Sequence, residues 1–523
     1  VLDLSNMDVL KKRNLNHDNN DGDANSLQSL WHSFLDSQID VLFKKATVKQ
    51  MTQFVHAMER VQGTDIDLSS SSALHLGQRL LKVVKVIAAS KDGCSALKPV
   101  AINVILRYAA LNCGHNTPVM KDFSDCAELL FTDEEFLSRC EMADLVHFLV
   151  FMEKTRHVSP SMDTLSSCDP LLMIGESILE HNVLDDTAAT PSQASAILSS
   201  FTYVVAERDR QRATKRYRFS QNSQHENQIL TELFHDLGGN LLTSRSEDLS
   251  PKDISSALCA YAKASYVQDM GVFEHLADLL AARIDDCSIR QVAQSLWACG
   301  KMAVWEIKQR VESDEDDLID QKPPPFLDYA EEFAVYLSQH ERNMTSKDIA
   351  QTVWALGRLR SIRRSRQQSS DASQSSAVTV GHFLSRAIKL APELTMPEIA
   401  NILHGMSNYR KVHCSATVQC FTDRLLYLHI KHSEKASPRE AANVLLALGR
   451  MEIRDERVFE VMSTDMLDQL DVASAQAIAN ALWAYRTVHI PPPRQLLDRW
   501  AMQRLGLNTV QTRKKPGARK LRP

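Results

Sequence analysis

Residues Thr345–Leu359, with the sequence TSKDIAQTVWALGRL, decide the fold, because variants of this stretch recur along the chain. The clearest copies are SIRQVAQSLWACGKM at Ser288–Met302, SPREAANVLLALGRM at Ser437–Met451 and SAQAIANALWAYRTV at Ser474–Val488. Aligned on Trp354, the successive copies between positions 259 and 483 lie 38, 57, 50, 42 and 37 residues apart. The base period is therefore about 38 residues, with insertions in the longer intervals, which indicates stacked copies of one small structural unit.

Each copy predicts one amphipathic helix with its own start signal. A Ser or Thr opens the copy and an acid or amide follows three residues later, as in Thr345 with Asp348 and Ser437 with Glu440, which is the pattern of a capping box. Apolar segments between copies, such as Phe326–His340, predict a second helix. Neither helix can bury its apolar face alone. We therefore expect an all-α protein, an α-solenoid of about ten stacked helix-pair repeats of about 38 residues with insertions.

Composition divides the chain into several segments. The predicted segments are a disordered polar segment at 1–25, divergent repeats at 26–205, a basic insertion loop at 206–228, well-formed repeats at 229–505 with insertions at 307–322 and 361–378, and a basic tail at 506–523. The loop prediction rests on the dense Arg and Lys residues of ERDRQRATKRYR at Glu207–Arg218. Because the chain begins with Val1 rather than Met, we expect that a segment preceding it has been removed.

The bulk properties favour a binding protein over an enzyme. The formal net charge of −5 and the isoelectric point near 6.4 do not indicate a nucleic-acid binder, but a basic stripe can lie on an acidic scaffold. The 10 cysteines form no CxxC pair, so we interpret them as reduced thiols. No apolar run approaches the roughly 18 residues that span a membrane. No catalytic constellation or phosphate-binding glycine loop is present, so we predict no enzymatic activity, no cofactor or metal, and no small-molecule substrate.

Two polar columns run through the repeats and are candidate RNA-binding positions. In the helix of Thr345–Leu359, Gln351 and Arg358 lie on one face together with Ala355. The amide column contains Gln294, Gln351, Asn401, Asn443 and Asn480, and the basic column contains Arg60, Lys154, Lys263, Lys301, Arg358 and Arg450, with Arg486 beside its last position.

These columns have a functional and a structural interpretation. Amides bond base edges, small residues let a ligand approach the helix, and Lys or Arg neutralises phosphates. Alternatively, the amides bond the backbone of a neighbouring repeat, the small residues allow close packing, and the cations suit the carboxyl end of a helix. We expect the small column to serve packing. The tryptophans Trp297, Trp354 and Trp483 lie on the apolar side, and we predict that they belong to the core.

The repeated phrase resembles a known family. QSLWACGKM at Gln294–Met302, QTVWALGRL at Gln351–Leu359 and NALWAY at Asn480–Tyr485 resemble the octotricopeptide repeat, a 38-residue helix-pair repeat related to those of FAST-kinase-like proteins. The Pro triplets at Pro323–Pro325 and Pro491–Pro493 resemble the family's Pro-Pro-Pro-Glu-Trp element, although neither is followed by Glu.

The resemblance implies an RNA-binding protein of the mitochondrion or chloroplast that acts in transcript stability, processing, splicing or translation. Many relatives end in a RAP domain, but the residues from Gly506 to Pro523 are too few for one, which counts against an enzyme unless the chain is a fragment.

Three functions stay open from the sequence. The first is a non-catalytic binder of single-stranded RNA, which would hold the strand along the amide and basic columns. The second is a structural subunit of an organellar ribosome or other ribonucleoprotein assembly, which would contact rRNA and proteins. The third is a protein–protein scaffold, which the acidic balance and the gaps in the basic column favour.

Overall fold

The computed structural model describes residues 129–155, 169–183, 189–215, 221–243, 248–266, 268–312, 326–365, 370–409 and 415–504, with isolated positions between 81 and 126. Every regular element in these ranges is a helix and none is a strand, which confirms the all-α prediction. The chain forms two compact units, 1–207 with 221–237 and 208–220 with 238–523. The predicted segments 1–25 and 506–523 and the first repeats lie outside the described residues.

The first unit contains shorter and less regular helices. They are α1 (Glu134–Ser138), α2 (Met142–Thr155), α3 (Pro170–Val183), and the parts of α4 (Pro191–Lys215) and α5 (Gln221–Thr243) that belong to it. Its core is aromatic, since Phe131, Phe136 and Phe148 are fully buried and the rings of Phe131 and Phe148 lie 4.6 Å apart. Gly175 allows α3 to approach α4, because a Cβ atom there would lie 2.9 Å from the ring of Phe201.

The second unit consists of two layers of alternating helices. The helices are α6 (Pro251–Ala264), α7 (Met270–Ala282), α8 (Ile289–Glu312), α9 (Phe326–Gln339), α10 (Ser346–Ser365), α11 (Ser370–Lys389), α12 (Met396–Met406), α13 (Ser415–His432), α14 (Pro438–Arg450), α15 (Glu456–Asp468), α16 (Ala475–Thr487) and α17 (Arg494–Arg504). The even-numbered helices carry the repeated phrase and pack against one another in chain order, and the odd-numbered helices pack behind them. This arrangement is that of an α-solenoid.

Capping boxes start α6, α8, α10, α12 and α14, as the sequence predicts, whereas α16 has the Ser474 cap alone. In α14, the side chain of Ser437 accepts from the N–H of Glu440, and the Glu440 carboxylate accepts from the N–H of Ser437 at 2.8 Å. The same reciprocal pairs form between Thr345 and Asp348, Thr395 and Glu398, Ser250 and Asp253, and Ser288 and Gln291. Each box satisfies backbone donors that the first helical turn leaves unpaired.

Glycine and alanine bring the even-numbered helices into backbone contact. A Cβ atom on Gly357 of α10 would lie 2.5 Å from the carbonyl oxygen of Gly405 on α12, and one on Gly405 would lie 2.3 Å from that of Val353. Gly449 of α14 has the same relation to Ala484 of α16, at 2.9 Å from its Cα. The small column therefore serves packing, as predicted. This layer is the more closely packed of the two, and from that we infer that it lies on the concave side of the second unit.

The described parts of the predicted loop and insertions are helical, which corrects the sequence analysis for those parts. Within 206–228, α4 continues to Lys215 and α5 begins at Gln221. Within the insertions 307–322 and 361–378, α8 extends to Glu312, α10 extends to Ser365 and α11 begins at Ser370. These stretches contain neither Gly nor Pro, the two residues that most strongly disfavour a helix interior, which is consistent with the helical parts. No helix in the described ranges is sufficiently long and apolar to cross a membrane.

Candidate nucleic-acid interface

Each even-numbered helix of the second unit has one face that its neighbours leave partly open. On α10 this face carries Lys347, Gln351, Trp354 and Arg358, at spacings of four, three and four residues, whereas Ile349 and Val353 beside it are fully buried. On α8 the equivalent residues are Arg290, Gln294, Trp297 and Lys301. Together these faces line the concave side of the unit, and we call this surface the inner groove.

The basic column forms one edge of the inner groove. Lys301 is half-buried, donates from Nζ to the carbonyl oxygen of Lys263 at 3.2 Å, and lies 5.6 Å from the ring centre of Trp297. The guanidinium of Arg358 lies 5.3 Å from the ring centre of Trp354. Arg450 donates to the side-chain oxygen of Asn408 at 3.4 Å. The predicted cations of α6, α8, α10 and α14 thus lie at the same end of their helices, whereas α12 carries Asn408 at this position.

Lys301, Arg358 and Arg450 have no acidic partners among the described residues, so their mutual repulsion is not offset. Burial, followed by the charge of Arg439, lowers the pKa of Lys301 to about 8. Burial, followed by the charges of Arg450 and Arg439, lowers the pKa of Arg358 to about 10. None of Lys301, Arg358 and Arg450 forms an ion pair with an acidic residue in the described part of the chain. An uncompensated cluster of this kind is a binding site for an anion.

A second row of cations, which the sequence analysis missed, forms the opposite edge. Lys252, Arg290, Lys347 and Arg439 are exposed and lie two residues after their helix caps. A cation in the first helical turn opposes the helix dipole, so helix stability does not account for this row. These cations are visible in the sequence between the two residues of each capping pair. The predicted columns were aligned on the apolar core, and none was drawn at this position.

The amide column lies between the two rows and is mostly unpaired. Gln294, Gln351, Asn401 and Asn443 are half-buried, and no hydrogen bond joins their side chains to another described residue. Asn480 differs, because its side-chain oxygen accepts from Nε2 of Gln476 at 2.8 Å. The alternative in which these amides bond the backbone of a neighbouring repeat is therefore not what the structure shows for these residues.

The tryptophan column lies on the inner groove, so the prediction that it belongs to the core is only partly right. Trp354 is 7% exposed, Trp297 is half-buried, and Trp483 is 46% exposed. The rings of Trp297 and Trp354 lie 6.2 Å apart at an angle of 31°. The apolar pattern of the sequence did not distinguish the fully buried positions from the tryptophan position beside them, which faces the groove. Aromatic rings flanked by cations are a stacking surface for bases.

Two predicted site residues belong to the first unit, and their side chains are not among those described. Arg60 lies outside the described residues. Lys154 lies on α2 of the first unit, and its side chain is not among those described. Lys263 and Arg486 do belong to the second unit, where Lys263 is half-buried and Arg486 is exposed. The candidate interface is therefore built from the second unit alone.

The described residues contain no group of His, Cys, Asp and Glu side chains that could hold a metal ion. The buried thiols are poor nucleophiles, since burial raises the pKa of Cys259 to about 11. A scan against protein-family models gives no match, and a search of curated proteins finds no significantly similar sequence.

Proposed function

We propose that the second unit binds single-stranded RNA along the inner groove and that the protein acts, without catalysing a reaction, in post-transcriptional RNA metabolism. The observation that carries this proposal is the pair of cation rows, at the start and the end of α6, α8, α10 and α14, on either side of amides and aromatic rings. Cations neutralise phosphates, amides bond base edges and aromatic rings stack on bases.

The position of the first row supports a ligand over a purely structural role. The residues between a first-row and a second-row cation, such as Lys347 and Arg358, span about three turns, or roughly 16 Å of helix. Such a width suits one strand, with phosphates at the edges and bases over the centre. Both rows together place positive charge on one surface of a chain whose formal net charge is −5.

The finer parts of the proposal rest on the sequence. They are a solenoid of about ten repeats of about 38 residues, membership of the octotricopeptide-repeat family, and action in the mitochondrion or chloroplast on transcript stability, processing, splicing or translation. The helices that carry the repeated phrase stack in chain order, which supports the solenoid.

Charge reversal in the groove tests the proposal. The variant Lys301→Glu, Arg358→Glu, Arg450→Glu should lose binding to a fluorescent single-stranded oligoribonucleotide, measured by anisotropy, while far-ultraviolet circular dichroism remains that of a helical protein. Because Lys301 and Arg358 are half-buried, the neutral variant Lys301→Gln, Arg358→Gln, Arg450→Gln is measured beside it. Wild-type affinity in both variants would refute binding in the inner groove.

A second candidate function is a structural subunit of a ribonucleoprotein assembly such as an organellar ribosome. It is favoured by apolar residues on the odd-numbered helices, where Val335 is 55% exposed, Tyr427 is 47% exposed and Ile430 is 67% exposed. Such residues on the outer layer suit contacts with proteins while the groove holds rRNA. Ultraviolet crosslinking in native extract, followed by sequencing of the attached RNA, separates the two functions: reads confined to rRNA indicate the subunit, and peaks in a few transcripts indicate an expression factor.

A further inference from the structure

Trp483 on α16 is the most exposed ring of the tryptophan column. It is 46% exposed, whereas the residues at the same position on α10, α12 and α14, which are Trp354, His404 and Leu446, are buried. A Cβ atom on Gly449 of α14 would lie 3.2 Å from Cζ3 of Trp483, so the ring lies against α14 with nearly half of its surface open. Tryptophan is highly buried on average, so a half-exposed ring on a groove requires an explanation.

The other two rings of the column are engaged with groups of the protein. The ring centres of Trp297 and Trp354 lie 6.2 Å apart at 31°, which is the distance of a direct aromatic pair and leaves little room for a base between them. Lys301 lies 5.6 Å from the ring centre of Trp297, and Arg358 lies 5.3 Å from that of Trp354. Within the described ranges, no aromatic ring or cation lies over Trp483. Of the three rings, Trp483 therefore offers the most accessible face to a planar ligand.

The residues around Trp483 favour a nucleotide over an apolar protein partner. On α16, the half-buried Asn480 precedes the ring by three residues and the exposed Arg486 follows it by three, so both lie beside it on the helix surface. Arg486 forms no ion pair with any residue that the structure describes. Leu497 is also exposed, but it lies on α17 of the outer layer. A protein contact would need a wider apolar patch, whereas one open ring with an unpaired cation beside it matches a base and its phosphate.

We propose that Trp483 stacks on a base of the bound RNA strand while Arg486 neutralises the adjacent phosphate. This inference rests on the RNA binding proposed above and assigns base stacking to one residue of the groove. The affinity that Trp483 contributes should depend on the bases and not on the salt concentration, because stacking on an uncharged ring releases no counterions. The first-turn cations make the opposite contribution, which depends on salt and not on the bases.

The experiment compares two fluorescent single strands with the same number of phosphates. One is an ordinary oligoribonucleotide, and the other has a ribose-phosphate backbone without bases. Anisotropy titrations of the full chain give the dissociation constants of both strands for the wild type, Trp483→Leu and Trp483→Tyr. The loss of one base stack corresponds to roughly 5- to 150-fold in affinity.

We expect Trp483→Leu to bind the ordinary strand at least about fivefold more weakly than the wild type, with an unchanged salt slope. It should bind the base-free strand as the wild type does. Trp483→Tyr keeps an aromatic ring and should retain most of the affinity. The matched control is Tyr427→Leu, because Tyr427 is 47% exposed on α13 of the outer layer and should contribute to neither strand.

Three outcomes would overturn the stacking assignment. One is wild-type affinity of Trp483→Leu for the ordinary strand. Another is an equal loss for both strands in Trp483→Leu, because the ring would then only support the shape of the groove. The third is a loss in Trp483→Tyr as large as that in Trp483→Leu. Failure of the wild type to bind either strand would instead refute the proposed function itself.

Discussion

Neutralising the first-turn cations should raise stability and lower RNA affinity at the same time. The variant Arg290→Gln, Lys347→Gln, Arg439→Gln removes exposed charges from the starts of α8, α10 and α14. Each of these cations opposes the helix dipole, which costs about 0.3–1 kcal/mol at an exposed site. The triple variant should therefore have a free energy of unfolding about 1–3 kcal/mol higher than the wild type, measured by urea denaturation.

The expected loss of affinity follows from counterion release. For single-stranded nucleic acid, each phosphate that a cation neutralises contributes about 0.7 to the slope of log affinity against log salt. The loss of three contacts should make this slope shallower by about 2. If the affinities of the variant and the wild type become equal near 1 M salt, the affinity of the variant near 0.1 M salt should be roughly 100-fold lower. Anisotropy titrations at four or more salt concentrations measure both quantities.

A control variant with the same change in charge separates the groove from the rest of the surface. Arg342, Lys389 and Lys431 are exposed and lie outside the even-numbered helices. Lys389 and Lys431 are in the last turns of α11 and α13, where cations favour the helix dipole, so their replacement by Gln should lower stability slightly. The salt slope should stay that of the wild type. An equal slope in both triple variants would refute the two-edged groove.

Three further predictions concern individual residues. Because the pKa of Lys301 is about 8 in the free protein and a bound phosphate favours its charged form, affinity for an adenosine-only strand should fall as pH rises from about 7 to about 9, and Lys301→Arg should remove this fall. Gly357→Ala should destabilise the protein by about 1–3 kcal/mol, since its Cβ would lie 2.5 Å from the backbone of Gly405, whereas Gly381→Ala on α11, with no atom within 4 Å, should stabilise it by about 0.5–1 kcal/mol. Ser437→Ala should cost about 1 kcal/mol through loss of the capping box, measured by thermal denaturation.

The sequence was sufficient for those parts of the fold that depend on local signals. The cap at Ser437 and its partner Glu440 are adjacent on one helical turn, so their pattern predicts the start of α14 directly. The basic residues after Glu207 interrupt the apolar pattern and so predict a loop, although α4 continues through the first of them to Lys215. Apolar periodicity locates a helix face, but it does not show where a helix continues beyond that face.

The site was less predictable, because it depends on how the repeats are spaced. Trp354 and Trp483 occupy equivalent positions, yet one is nearly buried and the other is half-exposed, since their exposure is set by the neighbouring helices. The charge of Arg439 on α14 lowers the pKa of Lys301 on α8, and we attribute this effect to the curvature of the layer. That curvature depends on backbone contacts such as the one between Gly357 and Gly405, which the sequence indicates as a small column without giving its geometry.

These backbone contacts also have a mechanical consequence. Side chains at an ordinary helix interface can change rotamer and let two helices slide, but helices that meet at their backbones have no soft atoms between them. The spacing between neighbouring even-numbered helices should therefore change little. Any opening of the groove must then come from changes in spacing among the odd-numbered helices, which pack more loosely. The second unit should therefore bend about its even-numbered layer. A partner bound to the odd-numbered layer would then change the width of the groove that is available to the strand.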